Sequence, residues 1–155
     1  MRLILCAAFA ALAAACGQTT KVTEAPPPAA PPAPFSLEAM GQNDIQGQLT
    51  GELGCSFTVA DDVLVVAMGN VDPNATSEAL AKRAGVTSEL QATATGGYDG
   101  MVEGASFTGD GLTLAIEIVQ RSETGNEQVA YNARLTATQN DGASRSYDGM
   151  WTCGP

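Results

Sequence analysis

The sequence predicts a mainly β protein, a small antiparallel barrel or sandwich of about seven or eight strands, with or without one short helix. Residues 112–119 alternate apolar and polar side chains with a period of two, which indicates a strand with one buried face. Residues 129–137 repeat the alternation after a turn at 124–126, and the two runs predict a hairpin. Regular spacing of short strands and turns favours closed β architectures.

The other strands follow from the same pattern. Residues 56–59 and 63–68 flank a short Ala-Asp-Asp turn and predict a second hairpin. Phe107 leads through a Gly-Asp-Gly turn into the strand at 112–119. An Asn-Asp-Gly turn at 140–142 separates the penultimate strand from the closing segment at 146–152.

Residues 76–85 do not follow the pattern of short strands and turns. They contain good helix formers, with Thr76 and Ser77 at the start, basic residues near the end and Gly85 after them. Local propensity therefore predicts a short helix. The alternative is that pairing in a β-rich domain draws residues 79–83 into a strand, with 86–90 as the next.

The N-terminus has the composition of an export signal. Arg2 precedes an alanine-rich apolar run that ends in small residues before Cys16, as export and cleavage require. We expect residues 1–15 to be the signal peptide. Two alternatives remain: an ordinary signal peptide, because residues 13–15 satisfy the small-x-small rule, or an uncleaved anchor, although the apolar run is shorter than the roughly twenty residues of a spanning helix.

The segment Leu12-Ala13-Ala14-Ala15-Cys16 resembles the cleavage motif of bacterial lipoproteins, with alanine at position 13 where that family prefers leucine. The resemblance implies that Cys16 becomes the first mature residue and carries diacylglycerol and an N-acyl chain. Multiple acyl chains bind a membrane firmly. Gly17, instead of aspartate, implies sorting to the periplasmic face of a Gram-negative outer membrane.

Residues 16–38 are predicted to be a lipid-anchored linker, followed by a β-rich periplasmic domain over 39–155. Residues 25–34 hold most of the chain's eight prolines, a composition typical of extended polyproline II at about 3.1 Å per residue. We interpret the segment as a spacer. The alternative, a ligand for an aromatic-lined groove, lacks flanking Arg or Lys.

The four cysteines divide by position. Cys6 lies in the signal and Cys16 is the lipid acceptor, which leaves Cys55 and Cys153. In an oxidising periplasm we expect these two to form a disulfide. A metal site is disfavoured because the chain has no histidine, and a redox site because it has no Cys-x-x-Cys pair.

The chain is strongly acidic, with 7 Lys+Arg against 17 Asp+Glu and a formal net charge of -10. This balance argues against nucleic acid and against an anionic lipid surface as partners. It permits a basic protein as partner, although acidity also serves simply to solvate a secreted domain.

The sequence excludes much familiar chemistry. Without histidine there is no Ser-His-Asp or Cys-His arrangement, and the glycine clusters lack the Lys-Ser/Thr of a phosphate loop. Carboxylates at Asp61, Asp62 and Glu103 are available in number for glycoside cleavage, but adjacent turn aspartates are usually only solvated. We expect no catalytic residue, no cofactor and no metal, and hence a protein that is not an enzyme.

One tetrapeptide occurs twice in the sequence, as Tyr98-Asp99-Gly100-Met101 and as Tyr147-Asp148-Gly149-Met150. It suggests two equivalent barrel edges, or a chance recurrence in a chain rich in Gly and Asp. On the first interpretation Tyr98, Asp99, Tyr147 and Asp148 are candidate partner contacts. Trp151, near Cys153, is interpreted as core.

Two classes of function follow, with an enzyme of unknown type third. Residues 54–57 and 149–155 resemble small alphaproteobacterial lipoproteins of unknown function, which implies a structural or accessory envelope role. The general plan of anchor, disulfide-linked β-barrel and acidic surface resembles the membrane-bound inhibitors of c-type lysozyme, which implies a binding module for a cationic partner. No functional residue of those inhibitors has a counterpart here.

Overall fold

Eight antiparallel strands form one closed barrel in the computed structural model, which describes residues 33–122 and 128–155. Each strand pairs with its neighbours in chain order, and β1 pairs with β8 to close the barrel. The elements are α1 (Gln42–Ile45), β1 (Leu53–Val59), β2 (Asp62–Gly69), β3 (Thr76–Arg83), β4 (Val86–Thr95), α2 (Asp99–Val102), β5 (Ala105–Gly109), β6 (Leu112–Ser122), β7 (Val129–Gln139) and β8 (Ser144–Gly154). The predicted fold class is confirmed.

Both predicted hairpins are present. β1 pairs with β2, and β6 pairs with β7 along most of their length. The predicted turn at 124–126 lies outside the described residues. At the β5–β6 turn, Asp110 and Gly111 have φ of 48° and 71°, the left-handed backbone that twisted two-residue hairpins require and that glycine adopts without strain.

The helix expected over residues 76–85 is wrong: Thr76–Arg83 form strand β3 between β2 and β4. The alanines that favour a helix are also small enough to fit between β2 and β4. Ala79 and Ala81 are fully buried, and each faces a residue of both neighbouring strands in register. Pairing on two sides and burial of small side chains outweigh local helix propensity.

Side chains fill the barrel interior. Phe57, Phe107 and Trp151 are each 0% exposed, and alanines lie among them at buried positions of other strands. The buried alanines of the core are Ala67, Ala79, Ala81, Ala133 and Ala137. Alternation of large and small residues is how small barrels achieve a packed core. With Tyr131, which is 5% exposed, four buried aromatic rings therefore suffice in a chain that is only 5% aromatic.

The two ends of the barrel differ. The tight-turn end carries the short connections at 60–61, 84–85, 110–111 and 140–143. The long-connection end carries the segments 70–75 and 96–104, the second of which contains α2. The N- and C-terminal ends of the barrel sheet, in β1 and β8, also lie at the long-connection end, because β1 starts there and β8 finishes there.

Residues 33–40 are attached to the tight-turn end. The Leu37 N–H donates to the Tyr147 hydroxyl oxygen at 2.7 Å, and the Glu38 N–H donates to the Lys82 carbonyl at 2.8 Å. Leu37 and Met40 are each 6% exposed. The contacts of the chain with the barrel therefore include Leu37 and Glu38, which precede the predicted start of the domain at residue 39.

An ion pair fastens α1 to this end. Lys82 Nζ lies 2.9 Å from Asp44 Oδ1. The hydrogen bond from Lys82, and then that from the Gly41 N–H, holds the pKa of Asp44 below its usual value. Both groups are partly accessible to solvent, so screening weakens the pair.

A disulfide crosses the seam between the first and last strands. Cys55 of β1 and Cys153 of β8 are register partners, with Cα atoms 4.0 Å apart, and they are bonded through sulfur. Cys55 is 4% exposed and Cys153 is fully buried. The bond joins residues 98 apart in sequence and so closes nearly the whole barrel into one loop.

Replacing both seam cysteines by alanine should lower the free energy of unfolding by about 2–5 kcal/mol, because the loop they close is long. Urea denaturation checks this in the soluble Cys16→Ala protein, with Cys16→Ala alone, which keeps both seam cysteines, as the reference. A double variant as stable as the parent would contradict the assignment of the seam as a main source of stability.

Candidate functional site

The barrel wall is incomplete between β4 and β5. The two strands pair at only two positions, Gln91 with Thr108 and Ala92 with Phe107. Beyond them, Thr93 and Ala94 have no register partner in β5 or in β3, all three strands being wholly described. Both residues are exposed, although the Thr93 hydroxyl donates to the Ser106 carbonyl at 3.3 Å. We call this opening the β4–β5 gap, bounded by Thr93–Ala94 and Ala105–Ser106.

A bulge in β4 creates the gap. The β3–β4 register passes from Glu78 opposite Gln91 to Thr76 opposite Thr95, so that Ser77 alone faces three residues of β4. A bulge of this kind bends the strand that carries the extra residues. Here it directs β4 away from its partners at Thr93 and Ala94.

Ser77 and Gly97 hold the bulge in place. Ser77 is 3% exposed, and its hydroxyl donates to the Gly97 carbonyl at 2.7 Å. Gly97 has φ of 55°, and a Cβ at this position would lie 2.3 Å from the Asn70 carbonyl oxygen. Only glycine fits there, so the sequence Gly96-Gly97 is a structural requirement of the gap.

A cavity of about 470 Å³ lies in the gap. Its lining consists of small, hydroxyl-bearing and acidic residues together with Met101 and Ile116. These are Ser77, Ala92, Thr93, Ala94, Thr95, Gly97, Gly100, Met101, Glu103, Gly104, Ala105, Ser106, Ile116 and Glu117. Glu103 and Glu117 are exposed, and no lining residue in the described chain is basic or aromatic. The gap therefore presents backbone and negative charge to solvent.

Helix α2 forms one side of the cavity and is fixed from within the barrel. The Trp151 Nε1–H donates to the Met101 carbonyl at 3.0 Å, and both residues are buried. Gly104, which follows the helix, has φ of 105°, and a Cβ there would lie 2.6 Å from the Ile116 carbonyl oxygen. These two contacts determine where Glu103 stands relative to the barrel wall.

Glu78, next to Ser77, connects the outside of the barrel to the segment before β1. Its carboxylate accepts the Thr50 N–H at 3.1 Å and the Thr50 hydroxyl at 3.0 Å. The bond from the Thr50 N–H is the main cause that lowers the pKa of Glu78. Because the pKa of Glu78 is lower in the folded than in the unfolded chain, this carboxylate stabilises the fold at pH values above its pKa in the unfolded chain. The stabilisation is lost as the pH falls through its pKa in the folded chain.

The candidate contacts Tyr98 and Asp99 lie at the long-connection end. Tyr98 is half-buried, its N–H donates to the Asn70 carbonyl at 2.8 Å, and Asp99 begins α2. Burial, and then the charge of Asp99, raises the pKa of Tyr98. These two residues lie beside the gap but do not line it.

The other candidate contacts, Tyr147 and Asp148, lie in β8 toward the tight-turn end. The hydroxyl of Tyr147 is engaged by Leu37, and Asp148 Oδ1 lies 2.8 Å from Arg134 Nε. The hydrogen bond from Asp148 raises the pKa of Arg134. The structure thus does not bring the two Tyr-Asp pairs together, and the matching tetrapeptides differ in conformation: one enters a helix and the other is strand.

The other residues predicted from the sequence do not form one site. Cys16 lies outside the described residues. Asp61 and Asp62 lie at the tight-turn end, whereas Glu103 lines the gap at the opposite end. Within residues 33–122 and 128–155, no three His, Cys, Asp or Glu side chains are grouped so as to hold a metal ion.

A second cavity, of about 590 Å³, lies at the tight-turn end beside Pro34, Phe35 and Arg83. Arg83 donates to the Asp110 carbonyl across it. Because Pro34 and Phe35 form part of its wall, this cavity borders the point where the chain joins the barrel. The β4–β5 gap lies clear of that point and is the better candidate site.

Comparisons of the chain with protein-family models, with curated proteins and with solved structures find no match. Among the described residues, no helix has the length and apolar character needed to cross a membrane.

Replacing Trp151 by Phe should free α2 and lower the free energy of unfolding by about 1–3 kcal/mol, because the buried Met101 carbonyl loses its donor. Amide hydrogen exchange should show faster exchange over residues 99–104. The control is Tyr147→Phe, which removes a hydroxyl that bonds to a backbone group, the Leu37 N–H, toward the opposite end of the barrel. Exchange over 99–104 as slow as in the parent would contradict the role of the Trp151 bond.

Proposed function

We propose that the protein is a lipid-anchored envelope lipoprotein with a non-catalytic accessory role, acylated at Cys16 and facing the periplasm from the outer membrane. The observation that supports this proposal best is the segment Leu12-Ala13-Ala14-Ala15-Cys16, which resembles a lipoprotein cleavage motif. The chain that precedes residue 33 holds the proline-rich spacer and Cys16.

The packing of the barrel supports a role in surface recognition. The rings of Phe57, Phe107 and Trp151 occupy the interior, where larger barrels carry a ligand. The β4–β5 gap, by contrast, opens to solvent toward the long-connection end, away from the contacts of residues 33–40. An accessory role that depends on contacts with other envelope components uses this outer surface.

The Cys16→Ala variant should be released as soluble protein in the periplasm, because it has no thiol to acylate. The parent, and the control Cys6→Ala, should sediment with outer membranes and incorporate an alkyne-labelled palmitate. Retention of Cys16→Ala in carbonate-washed membranes, or absence of label from the parent, would contradict the proposed anchor.

A second candidate function is a binding module for a cationic enzyme such as c-type lysozyme. It is favoured by the net charge of -10 and by the two carboxylates, Glu103 and Glu117, that line the gap. Complementary charge steers association and is weakened by salt.

For this candidate, the soluble Cys16→Ala protein should inhibit lysozyme at about 20 mM salt, and inhibition should weaken several-fold at about 200 mM as the Debye length shortens. Cell-wall clearing assays measure both. Absence of inhibition at low salt would exclude the lysozyme alternative and leave the accessory role unaffected.

A further inference from the structure

We propose that residues 33–52 act as a strap that peels from the barrel under tension, lengthens the tether and stops at the Cys55–Cys153 disulfide. The strap is the stretch of chain that directly precedes β1. The source of the tension, a membrane anchor at Cys16, rests on the function proposed above, whereas the peeling is a property of the domain itself.

The strap is not part of the closed sheet. The barrel closes through the pairing of β1 with β8, and the strap contributes only one isolated bridge, between Glu38 and Lys82. A segment outside the sheet can leave without breaking the pairing that closes the barrel. Local opening of such a segment and global unfolding are separate events with different free energies.

The first part of the strap is held at the tight-turn end. The Met40 N–H donates to the Val63 carbonyl at 2.9 Å, and the Glu38 carboxylate accepts the Gly85 N–H at 3.0 Å. Leu37 and Met40 are the two buried residues of the strap. These contacts follow one another along the chain, so tension applied ahead of residue 33 loads them one after another instead of together.

The second part of the strap is held by two charged side chains of β3. Within the described chain, residues 41–51 make no backbone hydrogen bond to the barrel. Lys82 Nζ lies 2.9 Å from Asp44 Oδ1, and the Glu78 carboxylate accepts the Thr50 hydroxyl at 3.0 Å. Contacts between accessible charged and polar groups are individually weak, so this part opens readily once the first part is released.

A leucine on the outside of the barrel gives the strap a reason to close again. Leu80 lies between Glu78 and Lys82 on the outer face of β3, because Ala79 and Ala81 face the core. It is nevertheless only 2% exposed. The strap, fastened to the charged residues on either side of it, therefore covers Leu80. Peeling exposes this side chain to water, and burying it again favours closure when the tension ends.

The disulfide limits the peeling. Cys55 is the third residue of β1 and is bonded to Cys153 of β8. When the chain is pulled between its two ends, tension that reaches Cys55 passes through the bond, so residues 56–152 carry no load. The twenty residues of the strap supply about 66–72 Å of extended chain, less the span that they already cover.

The test is single-molecule force spectroscopy on the oxidised, soluble Cys16→Ala protein, pulled through peptide handles at its two ends. We expect one reversible lengthening of at most about 66–72 Å, and no further one until the handles rupture. With Cys55→Ala and Cys153→Ala added, the same event should come first and opening of the barrel second, because the stop is gone. The second event should add roughly 320–350 Å, since the two positions are 98 residues apart.

Removal of the two β3 contacts tests whether the first event is the strap. Lys82→Met with Glu78→Ala should raise the rate of the first opening, at a fixed force, at least about fivefold. The control, Arg134→Met with Asp148→Ala, removes an exposed ion pair of β7 and β8 and should change that rate less than about twofold. Circular dichroism establishes that both double variants are folded.

Four results would overturn the proposal. They are a first event longer than the strap allows in the oxidised protein, no event before the handles rupture, opening of the barrel before the strap in the seam variant, or equal acceleration by both double variants. Every measurement uses soluble protein, so failure of the membrane anchor leaves these outcomes unchanged. The proposed anchor and the proposed strap are therefore tested separately.

Discussion

The structure depends on closure of the sheet between its first and last strands. β1 and β8 are joined by five register pairs, one of which is the disulfide-bonded pair Cys55 and Cys153. A closed sheet has no free edge at the seam, and the disulfide reduces the entropy of the unfolded chain by an amount worth roughly 4 to 5 kcal/mol on the chain-entropy model. Once the ends are fixed, the strands between them are constrained to enclose one interior.

That interior tolerates little change. Phe57 on β1 lies opposite Trp151 on β8 across the seam, and Gly149 provides room for the Phe57 ring: a Cβ at Gly149 would lie 2.9 Å from a ring carbon and 2.2 Å from the Thr58 carbonyl. The wall opens instead at the far side, where the β4 bulge, Ser77 and Gly97 separate β4 from β5. The β4–β5 gap therefore lies on the side of the barrel opposite the strands that close it.

The sequence predicted those features that depend on local pattern. Period-two alternation identified the β6–β7 hairpin, and the compartment implied by the N-terminus identified the Cys55–Cys153 pair. The helix predicted from local propensity at β3 was wrong, because alanine is both a helix former and a residue small enough to fit between two packed strands. The gap was missed because it arises from a register change at Ser77, and register is a property of strand pairs that no single segment encodes. The hydrogen bond from the Leu37 N–H to the Tyr147 hydroxyl was also missed, because it joins residues 110 apart in sequence, which a local pattern does not relate.

Residue-resolved amide hydrogen exchange on the oxidised, soluble Cys16→Ala protein tests the central claim most directly: the barrel is closed between β1 and β8, whereas the pairing of β4 with β5 ends at Ala92 and Phe107. The account predicts slow exchange for the hydrogen-bonded amides of the β1–β8 seam and rapid exchange, near the rate of an unstructured peptide, for Thr93 and Ala94. Protection of Thr93 and Ala94 equal to that of the seam would contradict it, because their amides would then have partners and the gap would be closed in solution.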